Sequence, residues 1–280
     1  MTACYINGKY KKLSQSSISV TDRGFQFSDG VYEVIAIYNN KFVDEILHLN
    51  RLRTSLNKLN IKINLSVKQV QNISYKIKKL NKISNGIIYI QVTRGDQHPR
   101  DHKYSKSLKS NIVIYSIQKD FKKLDQLALK GVKASLYPDI RWLRSDIKSI
   151  SLLGNVMAAN HAKKNNSHEA ILFDQKNNIT EGNSSSIWII KKNICYTHPL
   201  TYRILKGCTR NKLISILKLH KFKFREKLFS KKALLNADEV FMTSATNFIM
   251  PIIKVDSYKI SNGKPGSFTQ RFRKEFINSI

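Results

Sequence analysis

The stretch "IRWLRSDIKSISLLGN", Ile140 to Asn155, sets a lysine inside an apolar run, and its reading decides the fold. Lys148 has Ile147, Ile150, Leu152 and Leu153 close by in sequence, with Asp146 as the nearby counter-charge. A lysine that snorkels to water from an amphipathic edge would account for the pattern. The alternative is a nucleophilic amine whose apolar flank weakens its hold on a proton, able to form a Schiff base with a carbonyl compound.

Composition sets the frame. The 280 residues are enough for one large or two ordinary domains, and a hydrophobic share of 41% argues against global disorder. Apolar runs such as "VIAIY" and "GIIYI" are too short to span a bilayer, and the N-terminus lacks a secretory pattern. No membrane partner is therefore expected. Cys4, Cys195 and Cys208 are odd in number and far apart, without metal-ligand spacing. That suits a reducing cytoplasm and predicts no metal site. The formal charge of +30 suggests a polyanion partner. However, lysine is spread along the whole chain beside Ile and Asn, and no aromatic-studded basic module or recognition helix appears. A basic nucleic-acid-binding protein is the distant alternative, with no specific nucleic acid expected. The charge does predict nonspecific adsorption to polyanions.

Along the chain, Asn7-Gly8 marks a hairpin turn, and "GVYEVIAIYNNKFV" reads as two strands joined at Asn39-Asn40. Leu49, Leu52, Leu56 and Leu59 recur at helical spacing. Ser66 with Gln69 forms a capping box ahead of Val70, Ile73, Ile77 and Leu80. "GIIYIQVTRG" and "NIVIYSIQ" are strands, and the polar "QKDFKK" is the candidate boundary. Beyond it "GNVMAANHAKKNN" and "TRNKLISILKLHK" are helices, while "EAILFD", "SSIWIIKKN" and "EVFMTS" are strands. The order predicts an α+β (mixed α/β) protein: an N-terminal domain over 1–118, a linker over 119–123 and a larger C-terminal domain over 124–280.

A lysine that binds pyridoxal phosphate needs an anion cradle, a partner for the pyridine nitrogen and groups that hold the substrate. "LKGCTRNKL" places Gly207, Cys208 and Thr209 at a helix start, where exposed N–H groups and a hydroxyl suit an anion as well as a plain cap. "TSATN", Thr243 to Asn247, is a second small-residue turn. Glu181 lies at a turn in "NITEGNSSSIWII", either solvated or beside a pyridinium nitrogen, and Arg51 on the first leucine-spaced helix either faces solvent or pairs with phosphate.

"DRGFQFSDGVYEV", "HLNRL", "VTRG", "IRWLRSDIKSISLLGN", "TEGNSSSI", "LKGCTR" and "TSATN" occur in this order. Together they resemble the class IV, fold type IV aminotransferases over essentially the whole chain, nearest the bacterial D-amino acid (D-alanine) branch. The resemblance implies a two-domain pyridoxal phosphate enzyme with the cofactor between the domains. It implies that Lys148 binds the cofactor and moves the proton, and that Glu181 pairs with the pyridine nitrogen. Arg51, Thr209, Cys208, Ser244 and Ala245 hold the phosphate, and Ser184 and Leu205 lie near the ring. In "HPRDH", Arg100 and His102 are implied to clamp the substrate carboxylate together with Tyr32. The loop that carries them reaches the neighbouring subunit in this family, which implies a homodimer. The implied reaction is ping-pong transamination between D-amino acids (D-alanine, D-glutamate) and 2-oxo acids (pyruvate, 2-oxoglutarate). A branched-chain L-amino acid aminotransferase or an aminodeoxychorismate lyase of the same fold is the alternative. Ser186, Trp188 and Cys208 depart from the family pattern, and the loop before Arg100 is one residue longer.

Overall fold

Alternation along "GVYEVIAIY" puts Val31, Ile35 and Ile37 on one side of a strand, and that side becomes the core of the first of two units. The computed structural model describes residues 2–280. The first unit runs through Phe121 and takes in Ile147–Ser151, and the second comprises Lys122–Asp146 and Leu152–Ile280. Helices and strands are mixed in both, as the α+β reading expects.

In the first unit the elements are β1 (Ala3–Ile6), β2 (Lys9–Lys12), α1 (Arg23–Phe27), β3 (Gly30–Tyr38), β4 (Lys41–Phe42), α2 (Glu45–Lys58), α3 (Val67–Leu80), β5 (Gly86–Thr93) and β6 (Asn111–Gln118). Among the described residues its strands form one antiparallel sheet in the order β2-β1-β6-β5-β3-β4. Leu49, Leu52 and Leu56 of α2 and Val70, Ile73 and Ile77 of α3 close over one face, with Ile88, Ile90 and Ile114 beneath them. The turn residues follow their sequence: Asn7 and Gly8 have φ of 46° and 91°, and Asn39 and Asn40 have 46° and 68°. The Ser66–Gln69 capping box is formed in both directions.

The division at 118 and 124 needs two corrections. The expected linker 119–123 is mostly helix, because α4 (Phe121–Lys130) begins inside it and the Phe121 ring is buried edge-on against Tyr38. Ile147–Ser151 belongs with the first unit instead of with 124–280. Ile147 joins the first core, Ser149 bridges Val31, and the Ile150 N–H donates to the Gly30 carbonyl at 3.1 Å. Since β4 pairs only with Ile37 and Tyr38, this segment satisfies the opposite end of the β3 edge.

The second unit continues from α4 with β7 (Val132–Pro138), α5 (Leu153–Lys164), β8 (Glu169–Phe173), β9 (Ile179–Gly182), β10 (Ser186–Lys191), β11 (Ile194–Thr197), α6 (Cys208–Leu219), β12 (Phe224–Glu226), α7 (Lys231–Leu235), β13 (Glu239–Ser244), β14 (Phe248–Val255), β15 (Tyr258–Lys259) and α8 (Ser267–Asn278). Among the described residues the sheet order is β12-β11-β10-β13-β14-β7-β8-β9, with β15 paired to β14. Ile171, Ile187, Ile189, Val240, Met242 and Ile252 pack within its core. No helix of the described residues is long and apolar enough to cross a membrane.

Candidate functional site

Lys148 lies in the first unit, half-buried, with its main chain fixed on both sides. Its N–H donates to Ser55 Oγ at 3.2 Å and its carbonyl accepts from the Tyr32 N–H at 2.9 Å. The amine stands over the Tyr32 ring, 4.0 Å from the centroid. That ring stacks on Tyr89 at 5.8 Å, and Tyr89 meets Tyr115 at 5.2 Å, on the sheet face opposite the core.

The neighbour of Tyr32 on β3 is Glu33, whose side chain points the other way and is wholly buried. Arg51 from α2 grips it with a fork, Nε to Oε2 at 2.9 Å and Nη2 to Oε1 at 2.6 Å, and His48 Nδ1 lies 2.9 Å from Oε1. Burial opposes ionisation of Glu33, but Arg51 and His48 hold its carboxyl well below the usual range. This network sets the direction of the Arg51 guanidinium.

In the second unit, Glu181 is the penultimate residue of β9, with its carboxylate buried. Arg141 Nη1 donates to it at 2.6 Å and the Leu205 N–H at 3.0 Å. Asp139 takes the rest of the Arg141 fork at 2.9 Å. Burial raises the Glu181 carboxyl, and Arg141 works against that rise. Leu205 therefore lies against Glu181 through its backbone.

The start of α6 and the Ser244–Ala245 turn both lie beside Ser186. Helix α6 starts after Gly207 with Cys208 and Thr209 buried in its first turn, where the N–H groups lack acceptors within the helix. A Cβ at Gly207 would sit 3.0 Å from Ser186 Oγ. Ser186 in turn pairs with Thr243 in the β10–β13 ladder, which brings the Ser244–Ala245 turn alongside. Ser244 Oγ accepts from the Asn247 N–H at 3.1 Å. Trp188 is accommodated by donating its indole N–H to Thr243 Oγ1 at 3.1 Å. Ser184 is exposed, and its N–H and hydroxyl turn to Glu169 at 2.9 and 3.3 Å.

Arg100 and His102 lie on an exposed loop of the first unit. Both meet the Phe27 ring, the Arg100 guanidinium 4.2 Å and the His102 ring 5.2 Å from its centroid. Buried Arg23 holds the loop, donating to the carbonyls of Asp101 at 2.6 Å and His102 at 2.9 Å. The lysine, Tyr32 and Arg51 thus lie in one unit with this loop, and Glu181, Ser184, Leu205, Cys208, Thr209, Ser244 and Ala245 in the other.

Sequence reasoning assigned nothing to Glu33, His48, Tyr89, Arg141 or Glu169. Arg141 lies within the key lysine stretch, two residues from Asp139, and Glu33 and His48 lie within the quoted GVYEV and HLNRL motifs. The other contacts join residues far apart in the chain.

The sequence model of the class IV amino-transferase family matches residues 30–255. The D-alanine aminotransferase of Bacillus licheniformis is 38% identical over 274 residues, 98% of this chain and 95% of that protein. Those of Staphylococcus aureus (strain MSSA476) and Listeria monocytogenes (strain 10403S) are 38% and 35% identical, over 100% and 98% of this chain and 98% and 95% of theirs. Among solved structures, the branched-chain amino acid aminotransferase of Escherichia coli superposes with a TM-score of 0.92 at 21% identity, over 99% of this chain and 93% of that one. The branched-chain aminotransferase of the archaeon Thermoproteus uzoniensis, solved with norvaline, reaches 0.88 at 22% identity, over 99% of this chain and 94% of that one. Identities this low speak for the fold alone. With the family match and the full-length relatives, the chain belongs to the class IV aminotransferases.

Proposed function

We propose that this protein is a pyridoxal phosphate-dependent aminotransferase that exchanges amino groups between D-amino acids such as D-alanine and D-glutamate and 2-oxo acids such as pyruvate and 2-oxoglutarate. The observation that carries the reading is full-length identity of 35–38% to proteins named D-alanine aminotransferase. The fold likeness to branched-chain enzymes stays below 25% identity and gives the L-specific alternative no comparable support.

The donor set suits the cofactor. A lysine amine stands over an aromatic ring, a buried carboxylate is held by an arginine, and the helix N–H groups and hydroxyls at the start of α6 suit a phosphate, with Arg51 oriented by Glu33. When bound, pyridoxal phosphate supplies an electron sink for the substrate Cα. Lys148 would hold the cofactor and carry the proton to and from Cα, and Glu181 would keep the ring nitrogen protonated. Arg51, Thr209, Cys208 and the Ser244–Ala245 turn would fix the phosphate, with Ser184 and Leu205 at the ring. Tyr32, Arg100 and His102 would orient the substrate carboxylate, so that the Cα hydrogen of the D-enantiomer faces Lys148.

We place the enzyme in the cytoplasm as a homodimer. The three unpaired, buried cysteines suit a reducing compartment. Leu143, Leu153, Val156 and Met157 of the second unit are exposed apolar side chains that a second copy would cover.

The test is spectroscopic. Protein loaded with pyridoxal phosphate is expected to show a visible band that D-alanine bleaches, L-alanine leaves intact and Lys148→Ala lacks. Bleaching by L-alanine alone would transfer the assignment to the L-aminotransferases. Pyruvate release from aminodeoxychorismate would point to the lyase, and absence of any band would overturn the enzyme reading.

A further inference from the structure

Glu169 opens β8 at 2% exposure, and among the described residues no cation pairs with it. Its three donors all come from one turn. The Ser184 N–H and Ser185 hydroxyl reach Oε1 at 2.9 and 3.0 Å, and the Ser184 hydroxyl reaches Oε2 at 3.3 Å. That turn follows directly on Glu181 and is closed by the Gly182 N–H on the Ser185 carbonyl at 2.7 Å. A Cβ on Gly182 would collide with the Glu169 carboxyl and with Ser185 Oγ, so the carboxyl occupies the space that glycine leaves. The next residue of β8 repeats the tie: Ala170 and Asn183 exchange two bonds of 2.9 Å, and Asn155 Nδ2 donates to the Asn183 carbonyl at 2.7 Å.

A buried acid without a counter-cation is costly, and an amide could serve much of the same anchoring without a charge. The turn it anchors carries the residue after Glu181. We propose that Glu169 is a positioning residue: through the Gly182–Ser185 turn it fixes where the Glu181 carboxylate points. The inference rests on the reading that Glu181 meets the cofactor's ring nitrogen.

The charge state of Glu169 bears on that role. Burial, with the charge of Glu181 adding to it, raises its carboxyl to about 7 against the downward pull of the serine donors. The neighbours named on β7 and α5 are apolar. Ala134 stands opposite on β7, and Ala158 and Ala162 of α5 pack on the adjoining Ala170, which leaves Glu181 on β9 as the charged group acting on it.

The experiment uses the pyridoxal phosphate-loaded protein with Glu169→Gln, Glu169→Ala and Glu181→Gln, reading the visible absorbance against pH, kcat and KM for D-alanine, and thermal melting. Glu169→Ala is expected to lower kcat roughly tenfold with KM nearly unchanged, the scale of one misaligned charge-assisted hydrogen bond. Wild type is expected to show a change in the visible band as Glu169 titrates near pH 7, and Glu169→Gln to keep the melting temperature and lose that change. If Glu181→Gln alters the band and kcat while both Glu169 variants leave them alone, the Glu181 reading stands and the positioning inference falls. If the Glu169 variants shift only melting, the residue is structural and the inference is overturned. If Glu181→Gln is itself silent, the Glu181 reading fails, and Glu169 has nothing to position.

Discussion

The side-chain nitrogen of Lys148 stands 4.0 Å from the centroid of the Tyr32 ring, while the Tyr32 N–H donates to the Lys148 carbonyl at 2.9 Å. The same two residues therefore meet through side chain and backbone, and the ring limits where the amine can swing. Tyr32→Phe keeps the ring and loses the hydroxyl. It is expected to retain the visible band of the loaded protein and to raise KM for D-alanine about tenfold, the worth of one hydrogen bond to a charged group. Tyr32→Leu removes the ring and is expected to lower kcat as well. Equal KM in wild type and Tyr32→Phe would remove the hydroxyl from the carboxylate clamp.

Glu33 offers a stability test. It is wholly buried between Arg51 and His48, so Glu33→Gln leaves the Arg51 guanidinium without its carboxylate and should cost about 3–5 kcal/mol. The sign of the pH effect follows from its depressed carboxyl. The unfolded chain takes up this proton at an ordinary carboxylate pKa and the folded chain resists it. The stabilisation is present above about pH 4.5 and is lost as the pH falls below that value toward the folded pKa. Melting curves from pH 7 to pH 3 should fall steeply for wild type and less steeply for Glu33→Gln. Parallel curves would show that Glu33 is not what acid titrates. Because Arg51 loses its anchor, the variant should also bind pyridoxal phosphate more weakly.

Most regular elements were legible because their signals are local. The leucine spacing of α2, the Ser66 capping box of α3 and the paired asparagines at 39–40 each lie within a few residues. The helical start at Phe121 was hidden by its lysines, which read as a polar linker until the buried Phe121 ring is seen against Tyr38. The return of Ile147–Ser151 to β3 could not be read, since Val31 and Ser149 meet only after folding. The roles of Glu33 and Glu169 escaped for the same reason. Glu169 looks like one polar residue at the head of a strand, and its meaning lies in Ser184 and Ser185, 15 and 16 residues on. The resemblance supplied the candidate site, and the physics of these partners supplies what holds it in place.

Arg23 is predicted to govern the Arg100–His102 loop. It is buried, tied to Asp29 at 2.9 Å, and donates to two loop carbonyls, so it acts as the loop's post. Arg100→Ala is expected to raise KM for D-alanine by roughly 10- to 100-fold, the scale of a charge-assisted pair with a carboxylate, with a smaller rise for His102→Ala. Arg23→Ala should raise KM in the same direction by loosening both residues, and should also lower the melting temperature. Steady-state kinetics with intact cofactor absorbance separate these effects from cofactor loss. An unchanged KM in Arg100→Ala would make this an ordinary solvated loop.

The net charge has a physical consequence even without a dedicated partner. Asp22, Glu33, Glu45, Glu169, Glu181 and Glu239 are buried, whereas no lysine among the described residues is. Solvent therefore meets a surface dominated by lysine, with several carboxylates withdrawn into the interior. Retention on heparin is expected at low salt, and the affinity should collapse by roughly three orders of magnitude between 50 and 200 mM salt if about six anionic contacts form. The same field should speed the encounter with D-glutamate, which carries one net negative charge where D-alanine carries none, so kcat/KM for D-glutamate should fall with ionic strength more than that for D-alanine. Binding of this kind follows backbone charge, so duplexes of unrelated sequence should compete equally. Salt-resistant preference for one sequence would instead give the charge a recognition role that its even spread along the chain does not suggest.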